Sequence, residues 1–349
     1  MLISPIENFV LLSTILAVGC FAVAGSLRLL IKFKLCRLTT DNLIRAYTWA
    51  LILPSALALW IVAAAFLPEW WMPGAFNAAH GTPHDLHLLG DLTARVEPTL
   101  AYMMLLFTVG ASLFAAWSGW QSYMSVGQVV AKLHANAEPA DPRQILLIEE
   151  VARRYRFEVG LVTSDYPFSF LWGFTRSKLI VSTGLLRTLN EEELIGLMEH
   201  EAAHHERRDN LIKLGLLFFS YTSLAFLLTR RLLIWRALEV ERLCDEVAAA
   251  RTNAPLDIAS ALVKLRRRST ATPIAASSFS ANDVSSFHSR VSRLIESNEG
   301  NGFSHSAVRK SAWPGIAFSF LFAGSLAVST YFFPLGFHRL AESLIQLLT

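Results

Sequence analysis

Asn190-Glu191-Glu192-Glu193-Leu194-Ile195-Gly196-Leu197-Met198-Glu199-His200-Glu201-Ala202-Ala203-His204 is the stretch on which the reading of this chain turns. Asn190 can cap a helix, and Glu193 sits three residues on, where its carboxylate can reach back to the cap. Three acidic residues in the first turn also suit the positive end of a helix dipole. Leu194, Leu197 and Met198 carry the helix forward into His200-Glu201-Ala202-Ala203-His204, an H-E-x-x-H pattern. Residues at i and i+4 share one helix face, so both imidazoles can hold one zinc ion. Glu201 is rotated enough to face a water on that ion and act as general base. Average residue usage produces the pattern by chance in roughly one chain of this length per hundred. Here it falls on a helix predicted on other grounds.

A zinc hydrolase needs a third protein ligand and an open position. Carboxylates cluster downstream at Glu239, Glu241, Asp245 and Glu246, in a stretch (237–250) that also reads as a helix. Glu241 and Asp245 are i, i+4 neighbours, whereas Glu239 lies about 200° around from Glu241. Glu241 is therefore the expected ligand. Asp245 is expected to accept a hydrogen bond from a ligand histidine. Of the residues after the motif, His205 is off the ligand face, and Arg208 and Asp209 are expected to pair at the helix end.

The surrounding sequence is apolar. Of 349 residues, 53% are hydrophobic and only 17% charged, with mean hydropathy +0.40. Soluble domains average nearer 25% charged, so this chain is charge-poor and a soluble single-domain enzyme is not expected; its apolar content and three cysteines exclude disordered, collagenous and disulfide-rich secreted classes. Net charge is +3, too mild to imply nucleic acid. Four blocks lack charge over bilayer length: 9–27, 46–68, 99–123 and 311–337. The loop after the first holds Arg28, Lys32, Lys34, Arg37 and Arg45 against Asp41; the loop after the second holds Glu69, Asp85, Asp91 and Glu97 against Arg95. The positive-inside rule then places the N-terminus outside and the segment 124–310 in the cytoplasm. A fifth block, 214–229, is uncharged but short. It lies between the two motif helices, which must share a side, so it reads as a helix buried in the domain, lying in the interface, or re-entrant.

The expected architecture is an α-helical integral membrane protein with about four transmembrane helices and a cytoplasmic, mainly-α, gluzincin-like α+β zinc-protease domain. Residues 1–123 form the membrane region with three spans, 124–310 the peptidase domain, and 311–349 the last span and a short external tail. Within the domain, 144–156 reads as a helix, and 158–163 and 178–182 as strands. The aromatic run between them is strand or loop. Phe168, Phe170 and Trp172 are candidates for an edge against which a substrate strand pairs. Three features stand apart. His80, His84 and His87, with Asp85, form a candidate external site for Zn or Cu. The segment 269–286, rich in Ser, Ala and Thr, is a candidate self-cleavage loop. Cys20, Cys36 and Cys244, odd in number and scattered, are expected to be reduced thiols.

The residues resemble a known family. His200 to His204 followed by Arg208 and Asp209, then Glu241-Arg-Leu-Cys-Asp245-Glu246, resembles the BlaR/MecR-type membrane metallopeptidases. The aromatic-rich 167–194 stretch and Phe287-His-Ser-Arg290-Val-Ser-Arg293-Leu are similar to the same family's segments, as are three spans before the domain and one after. The HtpX/CAAX-protease-like group shares the motif logic but usually places two spans ahead of the domain, and ranks second. The resemblance implies one zinc per chain on His200, His204 and Glu241, Glu201 as base, and proteolysis in the cytoplasm. The chain ends about a dozen residues after its last apolar block, so the antibiotic-sensing role of some members is not expected.

The expected function is an integral-membrane zinc endopeptidase of a bacterial-type inner or plasma membrane, used in regulatory proteolysis, with a repressor-like substrate or the chain itself as target. The expected partners are a cytoplasmic protein or peptide substrate, the lipid bilayer and, as a candidate, a second copy of the chain. The alternatives are a membrane quality-control protease of HtpX type and a catalytically idle scaffold or receptor. An intact Glu201 argues against the idle scaffold, and the near absence of ionisable residues within the four blocks argues against a transporter.

Overall fold

A computed structural model of the protein describes residues 3–35, 38–64, scattered positions between 103 and 125, and 141–174, 177–221, 223–269 and 284–298. Much of the third apolar block, all of the fourth, Cys36, the loop with His80, His84 and His87, and most of 269–286 lie outside the described residues.

Two long helices open the chain, α1 (Ile3–Lys32) and α2 (Thr40–Ala64). Among the described residues, α1 holds one stretch, Leu12–Lys32, long and apolar enough to cross a membrane by length and composition. Its outer face leaves Ile15, Val18, Val23 and Leu29 exposed. The described positions between 103 and 125 are helical and show a similar face, with Met103, Leu106, Leu113, Trp117 and Trp120 all more than half exposed. Spacings of three, four and seven place these on one stripe.

The domain begins with α3 (Pro142–Tyr155), whose start is fixed by Asp141 accepting from the Arg143 amide and by proline in the first turn. Three strands follow: β1 (Glu158–Val162), β2 (Ser169–Trp172) and β3 (Lys178–Ser182). The sheet order is β1-β3-β2, with β1 parallel and β2 antiparallel to β3, so β2 lies at an edge. The aromatic run is thus a strand over its central four residues. After the single turn α4 (Thr183–Leu186) comes α5 (Glu191–Arg207), which carries the H-E-x-x-H residues. One sheet face (Leu171, Leu179, Val181) packs with Ile148, Val151, Leu185, Leu194, Leu197 and Met198 as the domain core.

The N-terminus of α5 is capped as its sequence predicts. Asn190 Oδ1 accepts from the Glu193 amide at 2.8 Å, and Glu193 accepts from the Asn190 amide at 3.0 Å. Glu193 is also tied to Ser260 (2.6 Å) and Lys264 (2.7 Å) of α8 (Pro255–Ser269). Burial alone would raise the Glu193 carboxyl, but Lys264, Ser260 and the Asn190 amide outweigh it and hold it below its ordinary value. Its folded-state value is depressed, so its contribution is present above the ordinary carboxylate range and lost as pH falls through the folded value. Glu193→Gln is expected to cost about 1–2 kcal/mol at neutral pH, Lys264 being partly exposed. Denaturant melts of both proteins should converge as the pH falls below the ordinary carboxylate range and the folded Glu193 carboxyl takes up its proton.

The 214–229 block is not one helix. α6 (Asp209–Ser220) ends inside it, residues 221 and 223–225 turn or bend, and α7 (Phe226–Thr252) starts inside it. Thr229 Oγ1 closes the turn by donating to the Ser220 carbonyl at 2.9 Å, and the Leu224 amide donates to Thr14 Oγ1 of α1 at 3.0 Å. The chain goes out and comes back, so α5 and the far half of α7 meet on one side. α6 and α7 pack on α1 and α2 through Leu216, Leu232, Tyr47, Leu51 and Ala24, with Phe21 stacked on Trp235 at 5.4 Å. Finally α9 (Val284–Asn298) lies across α7 and α8.

Candidate metal centre

α5 and α7 face each other and bring together residues 37 to 45 positions apart in the chain. His200 Nε2 and His204 Nε2 lie 3.2 Å apart. Glu241 of α7 places one carboxylate oxygen 3.8 Å from His200 Nε2 and the other 3.6 Å from His204 Nε2. Atoms that share a tetrahedral zinc at about 2.0–2.2 Å stand about 3.3–3.6 Å from one another, so the three side chains fit one ion.

The outer nitrogens sharpen the fit. His200 Nδ1 donates to Asp245 Oδ1 at 2.9 Å, and His204 Nδ1 donates to Asp209 Oδ2 at 2.9 Å. A carboxylate at Nδ1 favours the proton there and leaves the lone pair on Nε2. Two lone pairs facing each other at 3.2 Å repel unless a cation lies between them. The donor set of two imidazoles and one carboxylate is that of a catalytic zinc site with a position left open.

Asp245 stands where its sequence position predicts, one turn beyond Glu241. Asp209 does not. It turns to His204 rather than pairing with Arg208, which ends α5 in the left-handed conformation (φ 53°) with its side chain exposed. The reversal of direction between α5 and α6 brings Asp209 back beside the ring five residues before it. Arg207 (3.5 Å) and buried Arg236 (3.9 Å) also face Asp209. Burial would raise the Asp209 carboxyl, but His204, Arg207 and Arg236 bring it below its usual value. Asp209→Asn keeps the shape and removes the charge that orients His204. It is expected to weaken zinc binding about tenfold or more, read by competition with a chromogenic chelator.

Sequence reasoning attached no role to Arg290 of α9. It clamps Asp245 through two hydrogen bonds (2.6 and 2.8 Å), and its remaining nitrogen lies 2.9 Å from Glu241. Burial raises the Asp245 carboxyl, yet the Arg290 guanidinium prevails and holds it well below the usual carboxylate range. The same contacts push the Arg290 guanidinium further up against the pull of burial. Only its place in an arginine-bearing segment at 287–294 signalled it. Neighbouring Arg293 binds Glu246, which also accepts from Thr40 at 2.9 Å.

Glu201 is buried beside the two histidines, and Ser169 Oγ of β2 donates to its Oε1 at 3.0 Å. The edge strand thus borders the centre. Its pleat separates two sets: Ser169 and Leu171 face α5 and the core, while Phe168, Phe170 and Trp172 lie on the other face of the sheet, half-buried, with Phe168 and Phe170 stacked at 5.9 Å. The aromatic side chains therefore point away from Glu201. Phe168 bonds back to Ser182 of β3, so the backbone groups of Ser169 and Leu171 are those on the outer edge. Asn210 Nδ2 takes the Leu171 and Gly173 carbonyls at 2.8 and 3.2 Å. Cys244 is a free, fully buried thiol beside His204 and Asp209, and Cys20 is free in α1.

Comparison with known proteins bears on this same segment. Residues 145–297 match the model of Peptidase family M48. The chain is 32% identical over 117 residues to "Protease HtpX homolog" of Burkholderia cenocepacia, covering 31% of this chain and 38% of that protein. It is 33% identical over 111 residues to "Protease HtpX homolog" of Burkholderia ambifaria, covering 29% and 39%. The match spans about two fifths of the length of these relatives. The family expected second from the sequence is thus the one matched, and the BlaR/MecR-type assignment gains no support.

Proposed function

We propose that this chain is an integral-membrane zinc endopeptidase that hydrolyses peptide bonds of protein substrates at the cytoplasmic face of a bacterial-type inner or plasma membrane. The observation that carries the reading is the convergence of His200 Nε2, His204 Nε2 and the Glu241 carboxylate, with both outer imidazole nitrogens tied to carboxylates and Glu201 alongside. His200, His204 and Glu241 would hold one zinc per chain. Bound there, zinc would acidify a water and polarise the scissile carbonyl.

The protein's own residues do the rest. Glu201 takes the proton of the attacking water on its carboxylate and passes it to the leaving amine. Ser169 holds that carboxylate by its other oxygen. Asp245 and Asp209 fix the two imidazoles against rotation. A substrate strand pairs with the outer amide and carbonyl of Ser169 and the outer amide of Leu171, whose carbonyl Asn210 already holds, and its scissile bond then lies near Glu201. Phe168, Phe170 and Trp172 would then brace the edge from behind rather than touch the substrate.

Orientation has a structural support. Thr40 and Asp41, at the end of the basic loop after α1, reach Glu246 and Arg207 of the domain (2.9 and 3.7 Å). The loop that the positive-inside rule assigns to the cytoplasm and the catalytic centre therefore share a side. The α6–α7 hairpin runs from that side along α1 as far as Thr14, with Phe218 and Leu227 exposed, which supports reading it as re-entrant. The likeness to HtpX homologues favours quality control of membrane proteins over repressor cleavage.

The test is metal removal. Purified protein should carry about one zinc per chain and cleave an unfolded protein such as casein. Treatment with 1,10-phenanthroline should abolish cleavage, and added zinc should restore it. Cleavage that persists in metal-free protein would overturn the proposal.

A further inference from the structure

A second cavity borders α5 off the face that carries the ligand histidines. It is a cleft of roughly 670 Å³ lined by Arg154, Tyr155, Arg156, Phe174, His205 and Arg208, with Glu158, Ser177 and Glu206 completing its wall. None of the centre's residues borders it. Two helices end at this cleft, α3 at Arg156 (φ 59°) and α5 at Arg208 (φ 53°), each in the left-handed conformation. Glycine is the usual residue at such an end, and any other side chain costs about 1 kcal/mol or more there. A cation suits the negative end of a helix dipole, but a lysine or arginine one residue earlier would serve that without the strain. Both helices instead present an arginine at the strained position, into one cleft.

The charges there are not balanced. Arg154 is paired with Glu150 and Glu199, and Arg251, which stacks on Tyr155, neutralises Glu206. Arg156 and Arg208 form no ion pair among the described residues. Beside them the His205 Nδ1 atom is buried without a hydrogen-bond partner. Such an atom normally has a partner. Two guanidinium forks suit a carboxylate, Tyr155 and Phe174 offer ring surfaces for apolar neighbours, and Glu158 repels a dense polyanion. The cleft also meets the chain just past β2, since Phe174 lies two residues beyond Trp172.

We propose that this cleft binds a carboxylate-bearing peptide segment, an acidic side chain flanked by apolar residues or a peptide C-terminus, and holds a protein substrate at a distance from the bond it loses. Only the identification of that peptide as substrate rests on the protease reading. The binding itself does not.

The test uses the full chain in detergent micelles as the uncleaving Glu201→Gln variant, with fluorescein-labelled octapeptides alternating Glu and Phe. Parallel peptides carry Gln for Glu, phosphoserine for Glu, and free or amidated C-termini. The Glu peptide should bind at least about tenfold more tightly than the Gln peptide, the scale of one charge-assisted hydrogen bond. Adding Arg156→Gly and Arg208→Gly should erase that preference. Glycine relieves both left-handed caps, so the variant should melt no lower than its parent, and lost binding cannot be ascribed to unfolding. A preference dependent on the amidated or free terminus identifies a C-terminus as the ligand; one independent of it identifies side chains. Equal binding of Glu and Gln peptides together with equal binding of free and amidated C-termini, a preference that survives the double glycine variant, or tighter binding of phosphoserine would overturn the proposal. Should the chain cleave nothing, with the preference intact and lost on the glycine changes, the cleft stands and the protease reading falls.

Discussion

Glu201→Gln is expected to lower peptide hydrolysis by about 10²–10⁴-fold while zinc stays at one ion per chain, because the amide cannot accept the proton of the attacking water. Gln keeps the length of the side chain and can still accept from Ser169, so the fold should not change. The two readouts separate a base from a ligand: loss of His200 or His204 would remove metal and activity together, whereas loss of Glu201 removes activity alone. In cells, new protein N-termini seen by mass spectrometry with wild type and missing with the variant would name the substrates, including the chain itself. Retained hydrolysis in the purified variant would remove Glu201 from the mechanism. Ser169→Ala, which frees one Glu201 oxygen without removing the carboxylate, should have a far smaller effect.

Arg290→Met should be the most destabilising change near the centre. Arg290 neutralises two carboxylates at once, buried Asp245 through a bidentate contact and half-buried Glu241 at 2.9 Å. Taking one partner from a buried ion pair typically costs about 3–5 kcal/mol, since the charges left behind have lost their water as well as their partner. Zinc, which would share the charge of Glu241, should offset part of the loss. The fall in melting temperature is therefore expected to be larger in metal-free protein than in zinc-loaded protein. Arg290→Lys should be intermediate, as an ammonium cannot hold Asp245 with two parallel bonds and still reach Glu241. An equal fall with and without zinc would mean that Arg290 supports α9 and not the ligand set.

Arg290 also marks where sequence reasoning stopped. Asn190, Glu193, His200, Glu201 and His204 lie within fifteen residues of one helix, where spacing alone sets which side chains share a face. Glu241 and Asp245 were separable from Glu239 by the same rule applied to α7. Contacts between elements follow no such period. Asp209 reaches His204 only because the chain reverses after α5, Ser169 reaches Glu201 across 32 residues, and Arg290 reaches Asp245 across 45. The aromatic residues of β2 had been expected at the substrate, but a strand's two faces alternate, and which face meets α5 depends on how the sheet docks.

The 214–229 block shows the division most plainly. Its apolar, uncharged composition was legible, and so was the requirement that the motifs on either side of it face the same compartment. That it is two helix ends joined by a turn was not. The hydrogen bonds that close the turn run from Leu224 to Thr14 and from Thr229 to Ser220, and the first needs a helix some 210 residues away. Local spacing by itself determined the H-E-x-x-H face, the carboxylate pair of α7 and the helices that bear them, because those depend on the pitch of a helix. Only the tertiary structure decided which carboxylates and which arginine secure that pattern, because buried charges are satisfied by whatever partners packing brings within about 3 Å.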